Sequence, residues 1–108
     1  MLTVVELPEF QRRAEALITE QEKQRIINYL ALHPHAGVIM QGTGGIRKLR
    51  WATGSKGKSG GVRVVYYVHN DSMPLILLSL FGKSEKANLS KSERNALAKF
   101  TSMLVKNY

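Results

Sequence analysis

Ile46-Arg47-Lys48-Leu49-Arg50-Trp51 and Val62-Arg63-Val64-Val65-Tyr66-Tyr67-Val68-His69 are the two stretches that decide the fold. Both are rich in β-branched and aromatic residues and alternate with period two, so each reads as a strand. The segment Ala52–Gly61 joins them. If they pair antiparallel with Trp51 opposite Val62, Arg50 falls opposite Arg63 and Lys48 opposite Val65. Side chains alternate faces along a strand, so Lys48 and Arg50 share one face with Arg63, Val65 and Tyr67. Leu49, Trp51, Val62, Val64, Tyr66 and Val68 take the other face, which is the core face. A slip of one residue would turn arginines onto the core, so the register is well specified.

Toward the N-terminus, Leu2–Leu7 reads as a short first strand, and Pro8 suits the first turn of a helix. Phe10, Ala14, Leu17 and Ile18 follow at helical spacing. Thr19-x-x-Glu22 is a capping box that restarts the helix in a new direction. Ile26, Ile27, Tyr29 and Leu30 form the stripe of that second helix, which stops near His33-Pro34 because a residue before proline disfavours helix. Residues 34–45, ending in Gln41-Gly42-Thr43-Gly44-Gly45, read as a loop. After a turn from Asn70 to Pro74, Leu75–Phe81 is a third, more buried strand, and Gly82–Leu89 is a polar loop. Ser90-x-x-Glu93 opens a last helix with Leu97, Phe100 and Leu104 on its apolar side. The order β-α-α-β-β-β-α predicts a single α+β domain over residues 1–108, a mostly antiparallel sheet with the helices packed on one face.

Composition narrows the function. The chain has 108 residues, enough for one domain, and no cysteine, which removes thiolate metal sites and a cysteine nucleophile. Its longest apolar run, Leu75–Phe81, is too short to span a bilayer, and Met1–Glu6 lacks a basic leader region. A soluble, cytoplasmic protein without membrane association is the expectation. The formal charge is +8. Residues 1–22 are net acidic, whereas residues 23–70 contain eight bases and no acid. Such segregation is an electrostatic footprint for phosphates.

The register aims part of that charge at one place. Like charges directly opposite on a sheet are destabilising, so Arg50 beside Arg63 invites an anion. The third strand returns toward the same end and delivers Lys83, then Lys86. Cations converging without a carboxylate suit a phosphodiester and its more negative transition state. Lys48, Arg50, Arg63 and Lys83 are therefore the candidate catalytic set. Arg47, Lys56, Lys58, Tyr67 and Lys86 are the candidate nucleic-acid contacts around it. Tyr67, on the exposed face, either stacks on a base or covers the sheet.

Three sharper-looking signals fail on chemistry. Ala52–Ser59 nearly matches a phosphate-binding loop, but Ala52 replaces its first glycine and a strand follows where a helix is needed. His33-x-His35 flanks a turn proline and lacks further ligands nearby, so no metal site is expected there. Glu85 is the sole acid near the cationic set, which argues against a two-carboxylate or metal-dependent nuclease.

Gly44-Gly45-Ile46-Arg47-Lys48-Leu49-Arg50, Gly61-Val62-Arg63-Val64-Val65-Tyr66-Tyr67 and Phe81-Gly82-Lys83-Ser84-Glu85-Lys86-Ala87-Asn88-Leu89-Ser90 together resemble the RelE/HigB toxins of type II toxin–antitoxin modules, most of all the HigB branch. The resemblance implies a RelE-like fold and a ribosome-dependent endoribonuclease that cuts mRNA and inhibits translation. The 2′-OH beside the scissile phosphate would attack, leaving a 2′,3′-cyclic phosphate without metal or other cofactor. Lys48 and Arg50 match the basic pair on the first strand after the helices, Arg63 the arginine opening the next strand, and Lys83 the base after the strand-ending glycine. Ser84 and Ser90 stand where relatives often carry arginine and tyrosine, and Lys83, Lys86 or Tyr67 would substitute. The implied partners are ribosome, mRNA and a HigA-like helix-turn-helix antitoxin. A ParE-like gyrase poison of the same fold, or a non-catalytic RNA- or ribosome-binding module, are the competing readings.

Overall fold

A computed structural model describes residues 2–53, 61–82 and 90–107. The elements run β1 (Val4–Glu6), α1 (Pro8–Leu17), α2 (Glu20–Leu32), β2 (Val38–Ile39), β3 (Arg47–Ala52), β4 (Gly61–Tyr67), β5 (Leu75–Gly82) and α3 (Lys91–Lys106). The fold is α+β, as the element pattern predicts. The strands form one sheet in the order β1-β5-β4-β3-β2. β1 lies parallel to β5, and every other pairing is antiparallel. The expected β3–β4 register holds: Arg50 faces Arg63, Trp51 faces Val62 and Lys48 faces Val65.

The helices are not confined to one face. Phe10, Ala14, Ile26 and Leu30 from α1 and α2 pack with Val62, Val64, Tyr66 and Leu77 on the expected core face. Leu97, Phe100 and Leu104 of α3 pack on the opposite face, over Val65, Tyr67, Ile76 and Leu78. The reason lies in β5, whose run is apolar toward both faces and needs cover on each. A shift in β5 register makes this possible. Val65 pairs with Ser79 but Tyr66 pairs with Leu77, so an extra residue is accommodated on β5. Leu75, Leu77 and Leu80 then join one core, while Ile76, Leu78 and Phe81 join the other.

Local chemistry sets the helix ends. Pro8 occupies the first turn of α1. The Thr19 hydroxyl accepts from the Glu22 N–H at 3.0 Å and starts α2. The return half of that box goes elsewhere, because the Glu22 carboxylate accepts from the Trp51 indole N–H at 2.6 Å and from Arg25 at 3.1 Å. At α3 both halves form between Ser90 and Glu93.

Val38–Ile39, expected to be part of a loop, pairs with Arg47–Lys48 as an edge strand. Two residues are too few for a period-two signal. Tyr66 holds the turn before it. Its buried hydroxyl donates to the Pro34 carbonyl and accepts from the Gly37 N–H, both at 2.8 Å. Arg47 donates to the Gly37 carbonyl at 2.7 Å and to that of His35 at 3.3 Å. Replacing Tyr66 with Phe leaves the Gly37 N–H without its partner and should cost ~1–3 kcal/mol in urea unfolding.

The same hydroxyl adds a pH dependence. Burial pushes the Tyr66 and Tyr67 hydroxyls above the ordinary tyrosine value of 10.0. The hydrogen bond to Glu6 likewise raises Lys23 above 10.5. Each group keeps its proton to higher pH folded than unfolded. Their stabilisation is therefore full below the unfolded values and is lost as pH rises through the folded ones. The melting temperature should fall above about pH 10, and Tyr66→Phe should flatten part of that alkaline limb.

Candidate functional site

Among the described residues, the face of the sheet that α3 covers is only partly closed. The turn Gln41–Gly45 anchors α3 at one end. Arg94 donates to the Gln41 carbonyl at 3.2 Å, and the Thr101 hydroxyl lies 3.4 Å from the Thr43 carbonyl. Thr43 is fully buried and ties the turn together, donating to the Met40 carbonyl at 2.7 Å and accepting from the Ile46 N–H at 3.1 Å. Gly44 meets α3 with φ +79, where a Cβ would overlap Thr101 Oγ1. This fixes α3 over Ile46 and Tyr67. Among the described residues, the stretch toward Ala52, Gly61 and Gly82 is left to the cations.

Two cross-strand rows build the site. One runs Arg50, Arg63 and Phe81 across β3, β4 and β5; the next runs Val38, Lys48, Val65 and Ser79 across β2 to β5. Arg50 is exposed, and Arg63 and Lys48 are half-buried. Among the described residues, no carboxylate lies within ion-pair distance of any of the three. Lys48, Val65, Ser79 and Phe81 line a groove of about 620 Å3 that Arg94 and Leu97 of α3 bound on the other side. Two carboxylates also reach this groove, and both are engaged: Glu9 with Arg12, and Glu93 with the Ser90 N–H.

Adjacent guanidinium groups without a counter-ion suit an oxyanion flanked by two ester oxygens. Each offers forked N–H donors, and their mutual repulsion falls when an anion sits between them. A transition state with more negative charge than the ground state is held more tightly still.

Lys48, Arg50 and Arg63 thus share one face, as the register requires. Lys83, Lys56, Lys58 and Lys86 lie outside the described residues. Two expected contacts are corrected. Arg47 sits on the opposite face from Lys48 and spends its guanidinium on the carbonyls of His35 and Gly37. Tyr67 is 4% exposed, within the core beneath α3, so it offers no open ring for stacking. Its hydroxyl lies 3.4 Å from Nδ1 of His69. His33 packs its ring against Tyr29, with centroids 4.8 Å apart. Ser79 lines the groove as well, and its being the single polar residue in the run Leu75–Phe81 is a signal readable in the sequence.

A family model described as the RelE toxin of the RelE/RelB toxin–antitoxin system matches residues 9–107. The chain belongs to the RelE toxin family. The match spans nearly all of α1, then α2, the cationic rows and α3. This RelE-family chain is therefore the toxin component of a toxin–antitoxin pair, and its family implies an antitoxin partner. Among the described residues of the toxin, no helix is long and apolar enough to cross a membrane.

Proposed function

We propose that this toxin is a ribosome-dependent mRNA endonuclease that inhibits translation. The observation that carries the proposal is the pairing of Arg50 with Arg63 across β3 and β4, with Lys48 one row away and no described carboxylate to neutralise them. In the reaction, the 2′-oxygen forms a bond to phosphorus as the bond to the 5′-oxygen breaks. The 2′-hydroxyl loses a proton and the departing 5′-oxygen gains one. The products are a 2′,3′-cyclic phosphate and a 5′-hydroxyl end. Arg63 holds the developing charge on the phosphate, with Arg50 assisting. Lys48 or Lys83 moves a proton. Fixed positive charges at this spot repel a divalent ion, which favours proton transfer by side chains over metal-bound water.

The groove formed by the described residues is partly open to solvent. Orientation of the 2′-hydroxyl in line with the leaving oxygen has to come from elsewhere, and a ribosome-bound codon supplies it. Likeness to the HigB branch favours a HigA-like helix-turn-helix antitoxin as the partner that restrains the activity.

Mapping mRNA 5′ ends after brief induction tests this reading. New ends should appear within translated codons and vanish when translation is blocked before ribosomes engage the message. Cuts that persist on ribosome-free RNA contradict ribosome dependence. DNA damage with intact mRNA would point to a gyrase poison of the ParE type instead.

A further inference from the structure

β2 pairs only with Arg47 and Lys48, so among the described residues the outer edge of β3 from Leu49 to Ala52 has no strand beside it. At this free edge lies an open notch of about 320 Å3, lined by Tyr29, Leu49, Arg50, Trp51 and Ala52. Its walls are aromatic. Tyr29 is 39% exposed and meets Trp51 edge-on, with ring centroids 5.5 Å apart. The indole is held in place, since its N–H donates to Glu22, whose other oxygen accepts from Arg25. That leaves the Glu22 carboxylate already paired. Arg50, whose side chain belongs to the cationic face, is on the rim. A strand is one residue thick, so Arg50 and Trp51 put a phosphate-binding group and an aromatic wall on either side of a single backbone edge.

We infer that this notch seats one unpaired base of a single-stranded RNA whose scissile link lies on the α3 face. The inference rests on the proposed nuclease reading for the identity of its occupant and adds a specificity subsite to it. Chemistry selects RNA over a protein segment. The notch adjoins the Arg50 guanidinium, which has no described carboxylate partner and lies in an acid-free stretch of chain, residues 23–70. Aromatic walls beside cations are how proteins hold unstacked bases. The wall ring would contribute mainly through stacking, so it is a positioning group and not a catalytic residue.

Trp51 is the only tryptophan in the chain, and it reports on its own notch. The test titrates the full-length toxin with a labelled RNA hexanucleotide carrying 2′-O-methyl groups, which cannot be cut. Label anisotropy reads binding and indole emission reads the notch. Quenching with the same midpoint as the anisotropy is expected, and a duplex of the same sequence should not quench. Tyr29→Ala should weaken binding roughly five-fold or more. Tyr29→Phe, which keeps the ring, should bind like wild type. RNA that raises the anisotropy while leaving the emission unchanged, with Tyr29→Ala binding normally, places the base elsewhere and overturns the inference. Failure of wild-type toxin to bind the hexanucleotide at low salt also overturns it. Neither result touches ribosome-dependent cleavage, which is measured separately on programmed ribosomes.

Discussion

Arg63→Gln should abolish cleavage of ribosome-bound mRNA without weakening the fold. Arg63 lies between Arg50 and Phe81 in the middle of the cationic row, with no described ion-pair partner. Removing a fixed donor aimed at developing charge lowers turnover by roughly 100- to 1000-fold. Stability should move the other way. Arg50 loses a like-charged neighbour directly across the strands, which relieves about 0.2–1 kcal/mol. The pair of measurements is single-turnover cleavage on programmed ribosomes and thermal melting of the free toxin. Arg50→Gln should show the same stabilisation with a smaller loss of rate. A melting temperature that drops together with the rate would mean that Arg63 is structural. Near-normal cleavage would remove it from the reaction altogether.

Gly44→Val should be the most destabilising single change in the turn that carries α3. The φ of +79 costs any L-residue roughly 1–3 kcal/mol, and more for a β-branched one. The new Cβ also overlaps the Thr101 hydroxyl, so the Thr101 side chain on α3 must shift, while the Ala98 Cα lies at contact distance, 3.4 Å. Urea unfolding should show a midpoint well below that of Gly42→Val. Gly42 has a similar φ of +78, but a Cβ there meets only the flexible side chain of Arg94 at 3.5 Å. Equal losses at the two glycines would mean that backbone strain alone matters and that the contact with α3 does not.

The β3–β4 face assignment is readable in the sequence because a one-residue slip places Arg50 or Arg63 on the α1–α2 core face. The same alternation placed Lys48 with Arg50 on one face. Other features depend on contacts between distant segments. Which β5 residues face α3 depends on the register shift at Leu78, and Leu75–Phe81 is apolar enough to suit cover on either face. Tyr67 looked exposed for that reason, since nothing local announces that Phe100 and Leu104 will cover its face. Arg47 looked like a phosphate ligand because its partners are main-chain carbonyls of His35 and Gly37, which no side-chain pattern encodes. The capping signal at Thr19 was half right. Trp51 competes for the Glu22 carboxylate from another element, and tertiary hydrogen bonding overrides the local motif. Conversely, the Ser90–Glu93 box has no such competitor and forms as written in the sequence.

The decisive measurement is the chemistry of the cut end. Purified toxin is incubated with defined mRNA, once alone and once on ribosomes with the mRNA codon in the vacant decoding site, and the upstream fragment is analysed for its 3′ terminus. A 2′,3′-cyclic phosphate formed only on the ribosome, and lost in Arg63→Gln, is the expected result. A 3′-hydroxyl end, cleavage that is equal without ribosomes, or no fragment at all would contradict attack by the 2′-oxygen on a phosphate held between Arg50 and Arg63.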